Sequence, residues 1–248
     1  MYQKERIDSI MDILKENGYV TVKYLINALH YSNATINRDL NVMENLNLIT
    51  RSYGGAELVE STYIPVEFRY NKMKSLKRKF AKCAADLIQN GDTIYIDAST
   101  TCEGIGVFIT EKKDITVITN NMSLAIELSE YGINVICTGG QIVEVPYMLG
   151  GDDAVKTLMK YKTDKMFFST GSFTETGIIQ TGMLYNLIYE VAINNTEKVY
   201  YLADHTKLNL PARYTLTDFS AVSAVITDCP FSYEVKRKYQ STRFYEVD

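Results

Sequence analysis

The sequence predicts a two-part chain: a small N-terminal unit of three helices and a β-hairpin, followed by a larger α/β domain with a mainly parallel sheet. Three observations lead there. Apolar residues recur at helical spacing over 7–43, and a Gly-Gly turn between two short apolar stretches follows. From Phe80 onward helical and strand-like stretches alternate, the pattern of a sheet whose strands are joined by helices. The 248 residues, 46% of them hydrophobic, suffice for a small domain and then a medium one. The expected boundaries are 1–59 for the first unit, 60–79 for a basic linker and 80–248 for the α/β domain.

The first helix, over 3–17, carries Ile7, Ile10, Met11 and Leu14 as a stripe and is closed by Gly18. Thr21 is placed to cap a second helix with Val22, Leu25, Ile26 and Leu29 at helical spacing. His30-Tyr31-Ser32 breaks that pattern and supplies another cap. The third helix starts at Asn33 and ends near 47. Ile36, Leu40 and Met43 lie along one face, while Asn33, Thr35, Asn37, Arg38 and Asn41 crowd the other side and the first turn. With Ser32, these amides and hydroxyls suit base edges, and Arg38 suits a phosphate or a guanine, as a helix in the major groove requires. Taken alone, the same stretch also describes an amphipathic helix pair with a solvated polar face. Strands over 48–51 and 56–59, around the turn Ser52-Tyr53-Gly54-Gly55, complete the order of parts of a winged helix-turn-helix. Arg51, Tyr53 and Gly54 are then placed for the phosphate backbone or a neighbouring groove, which favours double-stranded DNA as the partner.

After Pro65 come Arg69, Lys72, Lys74, Lys77, Arg78, Lys79 and Lys82, which suit either a hinge helix on phosphates or the solvated face of a linker helix. A helix over 81–88 ends at Asn90-Gly91-Asp92. Strands are expected over 93–96, 115–119, 134–137, 165–169, 198–202 and 221–226, with helices near 123–129, 154–159 and 184–194. Ligands of such sheets sit beyond the carboxyl ends of the strands. Those ends are polar here: Asp97 with Ser99, Thr100 and Thr101; Thr119 with Asn120 and Asn121; Thr138 with Gly139 and Gly140; Ser169-Thr170-Gly171-Ser172; and Ala203-Asp204-His205. Hydroxyls and backbone amides ahead of a helix form an anion cradle, so a phosphate above Ser99, Thr100 and Thr101 is the expected ligand group.

A net charge of −4 excludes a generic polyanion binder. Within 1–56, Lys4, Arg6, Lys15, Lys23, Arg38 and Arg51 are balanced by Glu5, Asp8, Asp12, Glu16, Asp39 and Glu44, so each DNA-binding module is expected to be weak and to act in two or more copies. The four cysteines are far apart, which indicates neither a zinc ribbon nor a disulfide framework and fits a reduced cytoplasm. His30 and His205 lack metal-ligand company at useful spacing, and neither a metal nor a cofactor is expected. The amphipathic N-terminus lacks the apolar run of a signal peptide, and no stretch is long enough to span a membrane.

Together these residues resemble the DeoR family of bacterial transcriptional regulators across nearly the whole chain. The resemblance rests on Ser32-x-x-Thr35-Ile36-x-Arg38-Asp39-Leu40, the wing end Gly54-Gly55-Ala56, and Lys77 before Phe80-Ala81. It continues through Gly91-Asp92, Asp97 with Thr100-Thr101, Thr119-Asn120, Gly139-Gly140, Ala203-Asp204 with Lys207, and Ile226-Thr227-Asp228. It implies an effector domain related in fold to ribose-5-phosphate isomerase and the coenzyme A transferases, which binds a phosphorylated sugar or related metabolite and alters the grip on operator DNA. Lys77 and Lys207 join the effector-site residues on this ground, and a homodimer or homotetramer is implied.

Four positions depart from the family pattern. Asn37 precedes Arg38 where two arginines are usual, and Ser99 stands where a glycine is usual. Counting back from Asp204 places Tyr185 and Glu190 where the family often carries a Glu and a cation. The last change argues for an unusual ligand, or for a pocket less suited to a sugar phosphate. The alternative reading is a phosphosugar isomerase or transferase with a vestigial DNA module, in which Asp97 and Asp204 form the acid/base pair.

Overall fold

A computed structural model describes residues 3–46, 48–58, 69, 73–144, 148–182 and 186–247, in two compact units, Met1–Lys74 and Ser75–Asp248. The first unit runs α1 (Gln3–Asn17), β1 (Tyr19–Thr21), α2 (Val22–Leu29), α3 (Asn33–Asn45), β2 (Ile49–Ser52) and β3 (Gly55–Leu58). Thr21 Oγ1 accepts the Tyr24 amide at 3.1 Å, and Ser32 Oγ accepts the Thr35 amide at 3.2 Å. These two caps satisfy helix-start donors and fix where α2 and α3 begin. Ile7, Ile10, Leu14, Leu25, Ile36, Leu40 and Met43 form the core that the helical spacing predicts.

The wing differs from the expected two-stranded hairpin, because β1 joins it in a sheet of order β1-β3-β2. A three-residue strand between a helix stop and a helix cap is too short for alternation to register. The returning strand starts at Gly55, and Val59, expected within it, lies outside the described residues, as does Asn47 beyond α3.

The second unit opens with α4 (Lys74–Asp86), which begins well before the expected residue 81. Its buried residues Lys77, Phe80, Ala81, Ala84 and Ala85 follow helical spacing, while Arg78, Lys79 and Lys82 are exposed; the basic run is mainly the solvated face of this helix. Seven strands form the central sheet: β4 (Thr93–Ile96), β5 (Thr116–Thr119), β6 (Asn134–Cys137), β9 (Thr163–Phe168), β12 (Thr196–Ala203), β14 (Ala224–Thr227) and β15 (Arg243–Glu246). Their order is β15-β14-β12-β9-β4-β5-β6, and every pair is parallel. Helices α5 (Gly106–Ile109), α6 (Met122–Glu130), α7 (Asp152–Leu158), α8 (Asn186–Asn194) and α9 (Tyr233–Lys238) complete it.

Alternation along the strands supplies two cores. Tyr95, Met166, Phe168, Val199 and Tyr201 belong to one, and Ile94, Ile96, Phe167, Tyr200 and Leu202 to the other. Several tyrosines are therefore core rings, and Tyr200 stacks on Phe167 with centroids 5.0 Å apart. Two small antiparallel sheets had no sequence expectation: β7 (Gln141–Glu144) with β8 (Met148–Gly150), and β10 (Ser172–Phe173) with β11 (Ile178–Thr181) and β13 (Tyr214–Asp218). The strand expected over 221–226 is shifted, because Phe219–Ala221 forms a 3-10 turn. No described helix is long and apolar enough to cross a membrane.

Candidate operator-binding surface and effector site

The outer face of α3 holds the polar residues expected there. Ser32, Asn33 and Arg38 are exposed, and Thr35 and Asn37 are half-buried; Ile36, Leu40 and Met43 point inward. Asp39, on the inward side, is fully buried and was not singled out from the sequence. It accepts Arg6 Nε at 2.7 Å, Arg6 Nη2 at 2.9 Å and Gln3 Nε2 at 3.0 Å, which fastens α1 to α3. Arg51 does not extend from the wing as an independent phosphate contact. Its guanidinium donates to Asn37 Oδ1 and Asn41 Oδ1, so it lies on α3, and Asn37 is correspondingly not a free base reader. At the wing tip Tyr53 and Gly54 both have positive φ, 48° and 77°, the turn that matches the twist of a two-residue hairpin. Tyr53 is fully exposed. Tyr19 Oη donates to the Ser52 carbonyl at 3.0 Å, and a Cβ on Gly55 would strike the Tyr19 ring and the Val20 carbonyl.

In the second unit the chain runs outward to β6 on one side of β4 and to β15 on the other, so the topological switch lies between β4 and β9. The carboxyl ends of these two strands are where a ligand crevice opens. Asp97 joins them. It accepts Ser99 N at 3.1 Å, Ser99 Oγ at 2.6 Å and Ser169 N at 2.9 Å, with Tyr189 Oη 3.1 Å away. It is 1% exposed, and burial lifts its carboxyl above the ordinary range, while the Ser99 and Ser169 bonds pull it back. Asp97 therefore shapes the loop and does not present its oxygens to a ligand. Thr119 and Asn120 are also internal. Thr119 Oγ1 donates to the Ile96 carbonyl at 2.7 Å, and Asn120 bonds Tyr95 Oη at 2.9 Å and the Leu149 carbonyl at 3.1 Å.

Beside Asp97, Thr100 is half-buried and Thr101 is buried, and each receives a lysine. Lys77 Nζ donates to Thr100 Oγ1 at 2.9 Å, and Lys207 Nζ to Thr101 Oγ1 at 3.0 Å and Ser169 Oγ at 2.6 Å. Burial pushes the Asp204 carboxyl up, but Lys207, the Thr206 bond and Lys77 outweigh it and hold the group below its ordinary value. Both ammonium groups are thus within electrostatic reach of one carboxylate and rest on adjacent hydroxyls. The helix after this loop is only four residues long, preceded by a 3-10 turn, so the lysines and not a helix dipole supply the positive field. Ser99 donates its hydroxyl to Asp97 and accepts the Cys102 amide at 3.2 Å. Gly139 and Gly140 have φ of 68° and 100°, and a Cβ on Gly140 would strike the Gly150 carbonyl. Gly171 is exposed in open space. Tyr185 lies outside the described residues; Glu190 accepts the Asn186 amide of its own helix. Asn121, expected only as part of a polar strand end, caps α6 through its Oδ1 at 3.1 Å, while its buried Nδ2 has no partner among the described residues.

Residues 6–62 match the DeoR-like helix-turn-helix domain, and residues 72–229 match the DeoR C terminal sensor domain. The chain belongs to the DeoR family. DeoR-family relatives include the HTH-type transcriptional repressor GlcR of Bacillus subtilis, 31% identical with 92% of this chain and 89% of the relative covered. The lactose phosphotransferase system repressor of Lactococcus lactis is 31% identical over 92% of each chain. The glycerol-3-phosphate regulon repressor of Escherichia coli is 29% identical over 93% of this chain and 92% of its own. Among solved structures, eIF2B delta from Chaetomium thermophilum has a TM-score of 0.49 at 19% identity, with 66% of this chain and 60% of that chain covered. Ribose 5-phosphate isomerase from Plasmodium falciparum has a TM-score of 0.41 at 16% identity, with 55% and 53% covered. This DeoR-family protein is a DNA-binding transcriptional regulator with an N-terminal helix-turn-helix unit and a parallel-sheet α/β domain.

Proposed function

We propose that this protein is a cytoplasmic, homo-oligomeric repressor of carbohydrate-metabolism genes, released from or reshaped on its operator by a phosphorylated sugar, and that it catalyses nothing. The observation that carries the effector reading is the pair Lys77 and Lys207, whose ammonium groups rest on the adjacent Thr100 and Thr101 hydroxyls at the switch point. Two cations and several hydroxyls at a crevice suit a phosphate monoester with a polyol tail. The names of two relatives, a glycerol-3-phosphate regulon repressor and a lactose phosphotransferase system repressor, support the same ligand class. On the operator side, Arg38 and the end of α3 that carries the exposed Ser32 and Asn33 and the half-buried Thr35 enter the major groove, and Tyr53 with Gly54 follows the backbone.

The enzymatic alternative loses its general base, because Asp97 is 1% exposed and occupied by donors from three segments. Calorimetry of the full chain with pentose and hexose phosphates tests the sensor. A sugar phosphate binds the parent, Thr100→Ala binds it more weakly, and Lys207→Met more weakly still, by about tenfold or more for a lost charged contact. Equal affinities in all three proteins place the anion elsewhere, and turnover of any sugar phosphate overturns the non-catalytic reading.

A further inference from the structure

Arg51 stands on the wing strand, yet its guanidinium reaches the recognition helix, with one terminal nitrogen on Asn41 Oδ1 and the other on Asn37 Oδ1. Those acceptors are one helical turn apart, so α3 presents them side by side on its polar face. Asn37 Nδ2 in turn donates to the Asn33 carbonyl at 3.0 Å and to Asn33 Oδ1 at 2.6 Å. Asn37 thereby commits its acceptor to Arg51 and its donor to Asn33, whereas reading an adenine needs a free donor and a free acceptor together. Arg51 retains donors, because a guanidinium has five N–H groups and two serve the asparagines.

A contact to a single phosphate oxygen needs no fixed guanidinium plane, and a mobile arginine makes it. Two carbonyl clamps fix the plane of the guanidinium, and a fixed plane matters for a bidentate contact, as with guanine O6 and N7. Arg38 is the one basic residue within α3 itself, so Arg51, reaching over from the wing strand, is a second arginine on the polar face of this helix. Resting on the operator-binding reading above, we infer that Arg51, clamped by Asn37 and Asn41, reads a guanine and is a specificity-determining residue of the DNA surface.

Selection of bound sites from a random double-stranded library by the full-length protein tests this. Titration of the selected site and its single-base variants at one salt concentration follows. The parent selects a guanine in each half-site. Arg51→Lys, which keeps the charge, loses discrimination at that base pair by roughly tenfold or more while preferences elsewhere stay. The double variant Asn37→Ala/Asn41→Ala keeps Arg51 but frees it, and relaxes the same base pair. Unchanged guanine preference in both variants, or equal weakening on every sequence, overturns the inference and leaves the operator reading standing. A parent protein that selects no sequence overturns both. Circular dichroism melting of each variant excludes unfolding, and the double variant decides the matter should Arg51→Lys fail to fold.

Discussion

Two buried aspartates tie together segments that lie far apart in the sequence. Asp39 is fully buried and held by Arg6 and Gln3, and Asp97 is held by donors from Ser99, Ser169 and Tyr189. Removing one partner of such a pair leaves a charge in the core that water cannot reach, which costs far more than the pair itself contributes. Arg6→Met is therefore expected to destabilise the N-terminal unit by about 3 kcal/mol, the lower end for a broken buried pair because Gln3 still donates. Urea unfolding followed by circular dichroism measures it, and a loss below about 1 kcal/mol would reduce the pair to a surface salt bridge. The hydroxyls beside Asp97 were legible in the sequence as a polar strand end. The role of Asp97 was not, because its partners Ser169 and Tyr189 are 72 and 92 residues away and only the sheet order brings them close.

At the scale of elements, the wing and α4 show what local pattern reveals and what it conceals. The helices of the first unit were readable because caps and apolar spacing agree at Thr21, Ser32 and Gly18. The strand β1 was not, since its three residues gain strand geometry only by pairing with β3. That pairing explains Gly55, whose Cβ would collide with the Tyr19 ring and the Val20 carbonyl. Gly55→Ala should push β3 away from β1 at a cost of about 1–3 kcal/mol and lower operator affinity, with sugar-phosphate affinity unchanged. Fluorescence anisotropy and calorimetry read the two separately, and equal operator affinity would detach the wing from DNA binding. In α4 the sequence signal for Lys77 was present but overlooked: it shares a helical stripe with Phe80, Ala81 and Ala84, an unusual place for a lysine unless its ammonium meets a polar site.

For the whole molecule, a net charge of −4 leaves no general attraction to a polyanion, so on the proposed homo-oligomeric reading operator affinity rests on a few placed cations and on repetition of the module. If Arg38 contacts a phosphate in each half-site of a dimer, Arg38→Ala should reduce the slope of log affinity against log salt by about two, whereas a single bound module loses about one. An unchanged slope removes Arg38 from the phosphate contacts. In the proposed function a phosphorylated metabolite at Lys77, Lys207, Thr100 and Thr101 changes the grip of α3 on DNA, which requires different effector affinity in the free and operator-bound states. Titration of a labelled operator with the full chain, with and without a saturating sugar phosphate, measures that difference directly. A change in Kd of about 5–150-fold is expected for the parent and none for Lys207→Met at the same concentration. A parent Kd that stays constant with every sugar phosphate that calorimetry shows to bind would contradict it.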